Sequence, residues 1–219
     1  MTGSQSSARL RITEIFHSLQ GESRSAGLPT VFVRLTGCPL RCRYCDTAYA
    51  FSGGSTMGVD EILAEVAGHA CRRVCVTGGE PLAQKHCRAL LTALCDGGYR
   101  VSLETSGALD IHGIDPRVSV VMDLKTPSSG EQARNRMDNL ALLRAEDQLK
   151  FVIGDREDYE WARDVLAGAE LDAGCERLFS PCHGQLEPRQ LAEWILRDRL
   201  EARLQLQLHK YLWGDVPGH

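Results

Sequence analysis

The sequence predicts an α/β fold in which a mainly parallel sheet is either open or closed into a partial barrel. Short runs rich in β-branched and aromatic residues alternate with segments whose apolar residues recur at helical spacing. Such alternation is typical of βαβ units, which place parallel strands side by side. A third observation is that unusual polar and glycine-containing segments follow the predicted strands. The chain has 219 residues, 43% of them hydrophobic and 25% charged, which suits one globular domain.

Eight segments are predicted to be strands, because each is short, apolar and bounded by polar or glycine-containing sequence. Their ranges are 11–16, 30–35, 74–76, 100–104, 118–123, 149–153, 177–179 and a last alternating strand through Leu204, Leu206 and Leu208.

Four segments are predicted to be helices from their apolar spacing. The third is expected to begin near Asp155 and the fourth at Pro188. The apolar positions are Val59, Ile62, Leu63 and Val66; Cys87, Leu90, Leu91, Leu94 and Cys95; Tyr159, Ala162, Val165 and Leu166; and Leu191, Trp194 and Ile195.

The domain organisation is expected to be simple. We predict a disordered tail over residues 1–8 and a single domain over residues 9–219. The polar segment 125–139 contains Gly, Pro and Ser and is predicted to be a loop that is able to move.

Composition excludes several classes of function. The net charge is −4 and the pI is about 6.0, and no basic stripe is visible, so we expect no nucleic-acid partner. No apolar run approaches the roughly 20 residues that a membrane span needs. The first residues lack the features of a signal peptide. Together with an odd number of cysteines, nine, this predicts a cytoplasmic protein with reduced thiols.

The most informative motif is the cysteine triplet Cys38, Cys42 and Cys45, which has the spacing Cys-x3-Cys-x2-Cys. Three thiolates this close are able to share one metal centre and leave one position open for chemistry. Cysteine is the usual ligand of iron–sulfur clusters. The alternative is one half of a structural zinc site, but only Cys42 and Cys45 have the paired spacing typical of zinc ligands. A disulfide framework is less well supported.

Polar segments that follow the predicted strands are expected to surround one pocket, because the carboxyl ends of parallel strands share one face of a sheet. The segments are the cysteine loop and residues 77–81, 104–107, 123–127, 180–184 and 209–210.

The step Gly78-Gly79-Glu80 supports two interpretations. Paired glycines let a ligand approach the backbone closely, and the carboxylate that follows is able to hold an ammonium group. A plain turn between a strand and a helix would use the same residues.

The cysteine loop followed by Gly-Gly-Glu resembles the radical S-adenosylmethionine (SAM) superfamily. This resemblance implies a 4Fe-4S cluster whose open iron is chelated by the amino and carboxylate groups of SAM. It places Tyr44 beside the adenine, and residues 78–80 at the methionine amino group. Reduction of the cluster would split SAM into methionine and a 5′-deoxyadenosyl radical.

A closer resemblance, to the 7-carboxy-7-deazaguanine synthase family, covers about residues 11–212. It is carried by segments 15–22, 31–38, 45–47, 77–81, 104–107 and 208–212. It implies a partial (βα) barrel of the radical SAM type that converts 6-carboxy-5,6,7,8-tetrahydropterin to 7-carboxy-7-deazaguanine with loss of ammonia, in queuosine biosynthesis. It also implies a homodimer, Mg²⁺, and an electron donor such as flavodoxin or ferredoxin.

The resemblance assigns a role to individual residues. Ser23 is a departure, because the family often has glycine there. The implied pterin contacts are Leu19, Gln20, Gly21, Glu22, Arg34, Thr77 and His209. The implied SAM contacts are Tyr44, Asp46, Gly78, Gly79, Glu80, Glu104, Asp123, Leu124, Lys125, Ser180, Pro181, Cys182 and His183. The implied metal ligands are Cys38, Cys42 and Cys45 for the cluster and Thr47 for Mg²⁺.

Two rival functions remain at the level of sequence. A radical SAM activase, which places a glycyl radical on a partner enzyme, has the same cysteine spacing, but it needs a protein-docking groove. A zinc-stabilised binding module would use the cysteines for structure alone.

Overall fold

The computed structural model describes residues 8–214, 216 and 218, which form one nine-stranded sheet with five α-helices. The strands are β1 (Arg9–Leu19), β2 (Pro29–Leu35), β3 (Ser55–Gly58), β4 (Arg73–Gly78), β5 (Arg100–Thr105), β6 (Ser119–Asp123), β7 (Gln148–Ile153), β8 (Glu176–Pro181) and β9 (Arg203–Leu204). The helices are α1 (Val59–Gly68), α2 (Cys87–Asp96), α3 (Arg156–Gly168), α4 (Pro188–Arg197) and α5 (Leu208–Trp213).

Parallel pairing dominates the sheet. The strand order is β3-β1-β2-β4-β5-β6-β7-β8-β9. Every neighbouring pair from β2 to β9 is parallel, whereas β1 pairs antiparallel with both β2 and β3. In the part of the chain that the structure describes, β3 and β9 are the two edges and do not pair with each other, so the sheet is open. The predicted α/β class with mainly parallel strands is therefore confirmed.

Alternation along the strands separates the core from a polar face. On β7, Leu149, Phe151 and Ile153 belong to the apolar core, while Lys150 and Val152 line a cavity on the other side of the sheet. The core is completed by the apolar stripes of α1 to α4, including Cys87 and Cys95 as predicted from the spacing. One face of the sheet is thus free to carry polar chemistry.

Two elements differ from the sequence prediction. The predicted last strand is wrong beyond Leu204, because Leu208 begins helix α5, and its N–H donates to the carbonyl of Gly21 at 2.9 Å. Strand β3 was not predicted, because its sequence Ser-Thr-Met-Gly has no apolar alternation. It forms by pairing with the start of β1, where Arg9 lies opposite Gly58. In both places a tertiary contact determines the local structure.

The segment 125–139 contains short helices and is hydrogen-bonded to α3. It contains the 3₁₀ helices Pro127–Ser129 and Gln132–Arg134 and the start of a third, Met137–Leu142. The buried carboxylate of Asp158, on α3, accepts a hydrogen bond from the N–H of Ser128 at 2.8 Å. This bond anchors the start of the segment to α3, and the ability of the loop to move stays a prediction.

The predicted tail lies almost entirely outside the described residues, since these begin at residue 8. Ala8 itself is buried, and its carbonyl accepts a hydrogen bond from Val59 N–H at 3.1 Å. Among the described helices, none has the length and apolar character required to cross a membrane.

Candidate active site

A cavity of about 450 Å³ lies at the carboxyl ends of the parallel strands, on the polar face of the sheet. Most of the residues that sequence analysis assigned to cofactors and substrate line this cavity. They are Leu19, Gln20, Gly21, Glu22, Arg34, Cys38, Cys42, Tyr44, Cys45, Asp46, Thr47, Thr77, Gly78, Gly79, Glu104, Asp123, Lys125, Cys182, His183 and His209.

The three cysteines of the triplet lie together in the wall of the cavity. All three are half-buried free thiols. Cys45 N–H donates to the carbonyl of Cys42 at 3.2 Å, and the sulfur of Cys38 accepts from Leu40 N–H at 3.4 Å. Burial raises the pKa of the Cys38 and Cys42 thiols, so they are protonated at neutral pH and must release protons when they bind metal.

The donor set suits a cluster with several irons. Three thiols from one short loop face a cavity, and each is able to ligate a different iron of a 4Fe-4S cluster. Among the described residues, no group of three or more His, Cys, Asp or Glu side chains is placed to hold a single metal ion.

Gly78 and Gly79 bring the end of β4 into contact with the start of the cysteine loop. A side chain at Gly78, where φ is +148°, would place its Cβ 2.2 Å from the carbonyl oxygen of Leu35, and one at Gly79 would lie 2.2 Å from that of Gly37. Gly79 N–H donates to Leu35 O at 3.1 Å, and Glu80 N–H donates to Gly37 O at 2.8 Å. The glycines are therefore required by backbone packing, as well as exposing backbone to the cavity.

The carboxylate of Glu80 does not line the cavity. Its side chain is fully buried and accepts hydrogen bonds from Thr105 Oγ1 at 2.8 Å, from Ser106 N–H at 2.7 Å and from Leu82 N–H at 3.0 Å. Ser106 Oγ donates a fourth bond at 2.5 Å. Because protein donors already occupy this carboxylate, the geometry does not match the predicted contact between it and the amino group of SAM.

Glu104, a predicted SAM contact, is hydrogen-bonded to two of the predicted pterin residues. Its carboxylate accepts hydrogen bonds from Thr77 Oγ1 at 2.8 Å and from Gln20 Nε2 at 3.1 Å. The three side chains come from β5, β4 and the loop after β1, and they form one hydrogen-bonded wall of the cavity.

The loop after β1 is held by the C-terminal helix. A Cβ at Gly21 would fall 2.0 Å from His209 Nδ1, so any larger residue would force the His209 side chain to move. Glu22 accepts a hydrogen bond from Gln207 at 2.7 Å and contacts the ammonium of Lys150. Ser23 adopts φ of +66°, the left-handed region that favours glycine, so the departure noted in the sequence falls at a strained position.

Arg34 is held in place by residues that sequence analysis did not identify. Its Nε donates to Glu14 at 2.6 Å, and the Tyr49 hydroxyl donates to the same carboxylate oxygen at 2.8 Å. The guanidinium carbon lies 5.6 Å from the ring centre of Phe16, which stacks on Phe32. The terminal nitrogens of Arg34 make no hydrogen bond to any described residue.

Asp46 and Thr47 form a small oxygen-rich corner. Thr47 Oγ1 donates to Asp46 at 2.8 Å, and Lys210 Nζ lies 3.2 Å from the other carboxylate oxygen. Burial opposes ionisation, but the charge of Lys210 and the hydrogen bond from Thr47 outweigh it and lower the pKa of Asp46 to about 2. The carboxylate is therefore ionised at neutral pH.

Besides Glu80, three of the predicted SAM contacts have buried side chains that do not line the cavity. Leu124 belongs to the apolar core, Pro181 is buried, and Ser180 Oγ donates to the carbonyl of Gln205 at 2.9 Å. Asp123 and Lys125, which flank Leu124, do line it, because successive side chains along an extended chain point to opposite faces. Cys182 and His183, which follow the end of β8, also line it. Lys125 Nζ lies 3.0 Å from Asp123.

Comparison with known proteins decides the family. A 7-carboxy-7-deazaguanine synthase from Chlorobaculum tepidum is 50% identical over 210 residues, covering 94% of this chain and 96% of the relative. One from Koribacter versatilis is 42% identical over 219 residues, covering 93% and 97%. The chain belongs to the 7-carboxy-7-deazaguanine synthase family. Residues 32–128 match the model of the radical SAM superfamily.

A solved structure supports the fold. The crystal structure of QueE from Escherichia coli matches with a TM-score of 0.72 and 24% identity, over 92% of this chain and 95% of that one. Membership of the radical SAM superfamily implies a 4Fe-4S cluster and SAM, and the three cavity-facing thiols fit such a cluster.

Sequence analysis missed several residues of the cavity, above all Lys150. A signal was present, because lysine interrupts the apolar run Leu-Lys-Phe-Val-Ile of β7, and lysine is almost never buried without a partner. No comparable signal exists in the sequence for Gln207, which also lines the cavity, or for Glu14, which holds Arg34 from outside it.

Replacing Cys38, Cys42 or Cys45 by alanine is expected to abolish cluster binding, because each change removes one ligand. The matched control is Cys87→Ala, since Cys87 is a buried core residue of α2. It should cost only packing, roughly 1–3 kcal/mol, and keep the cluster. Iron and sulfide content after anaerobic reconstitution, with SAM cleavage, measures the difference. A Cys42→Ala protein that keeps its cluster while Cys87→Ala loses it would contradict the assignment.

Proposed function

We propose that the chain is a radical SAM lyase that converts 6-carboxy-5,6,7,8-tetrahydropterin to 7-carboxy-7-deazaguanine with loss of ammonia. The observation that carries the proposal is that the cysteine triplet and all the predicted pterin residues line one cavity. The chain is also 50% identical to a member of this family. When bound, the 4Fe-4S cluster and SAM supply the radical that starts the reaction.

The cysteine loop and its neighbours would hold the cofactors. Cys38, Cys42 and Cys45 would ligate the cluster, and the exposed backbone of Gly78 and Gly79 would receive the methionine end of SAM. Tyr44, Asp123, Lys125 and His183 would contact the rest of the molecule, since all four line the cavity. The buried Glu80 would act on SAM only through the backbone that it fixes.

A second group of cavity residues suits a pterin. A pterin presents donors and acceptors along one edge, which Gln20, Glu22 and Glu104 are able to match. The partner-free terminal nitrogens of Arg34 would grip its carboxylate, for which the planar guanidinium is suited. A site built of paired polar groups also rejects analogues that leave those groups unpaired.

Mg²⁺ would bind at the corner formed by Asp46 and Thr47. Mg²⁺ prefers hard oxygen ligands and usually shares them with substrate and water. Support comes from the ionised carboxylate of Asp46 and the adjacent Thr47 hydroxyl, both in the cavity wall.

The remaining expectations concern partners and organisation. We propose an electron donor such as flavodoxin or ferredoxin, a homodimer, and a single domain over residues 9–219. The nine free thiols suit a reducing compartment such as the cytoplasm. Against a glycyl-radical activase stands the size of the cavity, about 450 Å³, which is typical of a small-molecule site.

The direct test is to incubate the reconstituted, reduced protein with SAM and 6-carboxy-5,6,7,8-tetrahydropterin, with and without Mg²⁺. We expect 7-carboxy-7-deazaguanine and ammonia in equal amounts, with more product when Mg²⁺ is present. Because the conversion loses only ammonia and involves no net oxidation or reduction, 5′-deoxyadenosine should stay well below the product. Cleavage of SAM without any pterin product, in protein with a full complement of iron, would refute the proposed substrate.

Arg34→Ala is expected to weaken pterin binding while SAM cleavage continues slowly. A bidentate contact between arginine and a carboxylate, lost from a buried pocket, is worth roughly 2–4 kcal/mol, or about 30- to 1,000-fold in affinity. Arg34→Lys should rescue only in part, because lysine keeps the charge but loses the fork.

The matched control for Arg34 is Arg189→Ala, since the Arg189 side chain is 90% exposed and lies on α4. The measurements are the dissociation constant for the pterin and the amounts of 5′-deoxyadenosine and 7-carboxy-7-deazaguanine. Normal pterin affinity in Arg34→Ala would show that Arg34 serves only to pair with Glu14.

A further inference from the structure

Lysine is concentrated in the cavity. The chain has four lysines among 25 basic residues, and Lys125, Lys150 and Lys210 all line the cavity, whereas Lys85 is exposed elsewhere. Lys125 and Lys210 lie in segments already singled out by the sequence. Lys150 does not, since it projects from the middle of β7 between core residues, with its side chain only 11% exposed.

The ammonium of Lys150 connects two parts of the site. It contacts the carboxylate of Glu22 and lies 3.8 Å from Asp123 Oδ2. The same oxygen of Asp123 lies 3.0 Å from Lys125 Nζ. Glu22 belongs to the loop after β1, which is predicted to recognise the pterin, and Asp123 to Lys125 form the segment after β6, which is predicted to bind SAM. One side chain therefore bridges the two predicted ligand sites.

Stability alone does not explain this arrangement. A buried ion pair recovers little more than the cost of removing its charges from water, and an apolar pair often serves the fold as well or better. Arginine, which the chain uses at most cationic positions, would present a planar fork. A lysine ammonium is a compact charge with three donors, which suits two carboxylates in different directions.

We propose that Lys150 is a positioning residue that couples the pterin pocket to the SAM-binding segment. It holds the carboxylates of Glu22 and Asp123 in fixed directions, so that the pterin and SAM are bound in a fixed position relative to each other. The inference rests on the proposed function and adds to it a residue that acts through two others. Without this bridge, we expect SAM to be cleaved still, but a smaller share of the cleavage events to yield product.

The charged groups around the pair set the expected pH response. Glu22 faces Lys150 and His209, with the amide of Gln207, and Lys150 also faces Asp123 and Glu104. Although burial favours neutral Glu22, the charge of Lys150 keeps the pKa of this carboxyl below its ordinary value. Removing that charge raises the pKa, so pterin binding should fail at a higher pH on the acid side.

The experiment compares Lys150→Met, which keeps the length of the side chain, with Lys150→Arg, which keeps its charge. Lys85→Met is the matched control, because Lys85 is exposed and outside the cavity. Pterin affinity is measured by calorimetry on cluster-loaded, unreduced protein across pH 5 to 8. The coupling of SAM cleavage to product formation is measured as the ratio of 5′-deoxyadenosine to 7-carboxy-7-deazaguanine.

Lys150→Met is expected to lose roughly 10- to 100-fold in pterin affinity, the effect of a lost hydrogen bond to a charged group. Its ratio of 5′-deoxyadenosine to product should rise. The acid limb of its pH profile, where pterin affinity falls as the pH is lowered, should move to higher pH. Lys150→Arg should return the acid limb to its wild-type position, but should bring the ratio of 5′-deoxyadenosine to product only part of the way back to the wild-type value. Glu22→Gln should lose similar affinity, and the double variant Lys150→Met/Glu22→Gln should lose much less than the product of the two single effects.

Two outcomes would overturn the inference. One is a Lys150→Met protein with wild-type affinity, ratio and acid limb. The other is full additivity with Glu22→Gln, which would mean that the two residues act independently. The wild-type protein tests the proposed function separately, because a wild-type enzyme that makes no product refutes the substrate whatever the variants do.

Discussion

The site depends on one constraint, the close packing of the segment Gly78-Gly79-Glu80 between the cysteine loop and the turn after β5. The two glycines let the end of β4 approach the backbone at Leu35 and Gly37. The buried carboxylate of Glu80 then collects four hydrogen bonds, three of them from Thr105 and Ser106. Because Cys38 follows Gly37 directly, these contacts fix where the cysteine triplet begins relative to the strands that carry the substrate wall.

Around this fixed point, charged side chains of the cavity are held in ion pairs: Lys150 with Glu22, Lys125 with Asp123, Lys210 with Asp46, and Arg34 with Glu14, which lies outside the cavity lining. Each pair keeps a buried charge from standing alone, which would be costly. The pairs also preorganise the cavity, since a side chain already held by a partner needs little reordering when a ligand binds. On the polar face of the sheet, each of these charged side chains is thus restrained by its partner. Each comes from a strand or from a loop near a strand end.

Much of this was predictable from the sequence, because the positions of the strands follow from the local pattern of apolar residues. The apolar runs located β2 and β4 to β8, and the parallel arrangement placed the segments after them in one cavity. The side-chain direction within a segment was harder. The sequence assigns Leu124, Ser180 and Pro181 to the site with their neighbours, yet all three are buried and do not line the cavity. Leu124 packs in the apolar core, and the Ser180 hydroxyl donates to the carbonyl of Gln205. The sequence assigns Glu80 to a ligand, because the Gly-Gly-Glu motif does not reveal that Thr105 and Ser106 donate hydrogen bonds to its carboxylate. Leu208 was placed in a strand because the packing of α5 on Gly21 is a contact across most of the chain length.

The most direct test of the central constraint is the free energy of unfolding of the apoprotein with Glu80→Gln, measured by urea titration. An amide turns an NH₂ group toward the donors of Thr105 and Ser106, so we predict a loss of roughly 2–4 kcal/mol. The control Glu193→Gln, at a side chain that is 61% exposed on α4, should change stability by less than about 0.5 kcal/mol. An apoprotein of unchanged stability that has nevertheless lost affinity for SAM after reconstitution would show that Glu80 serves the ligand directly, and would contradict the account.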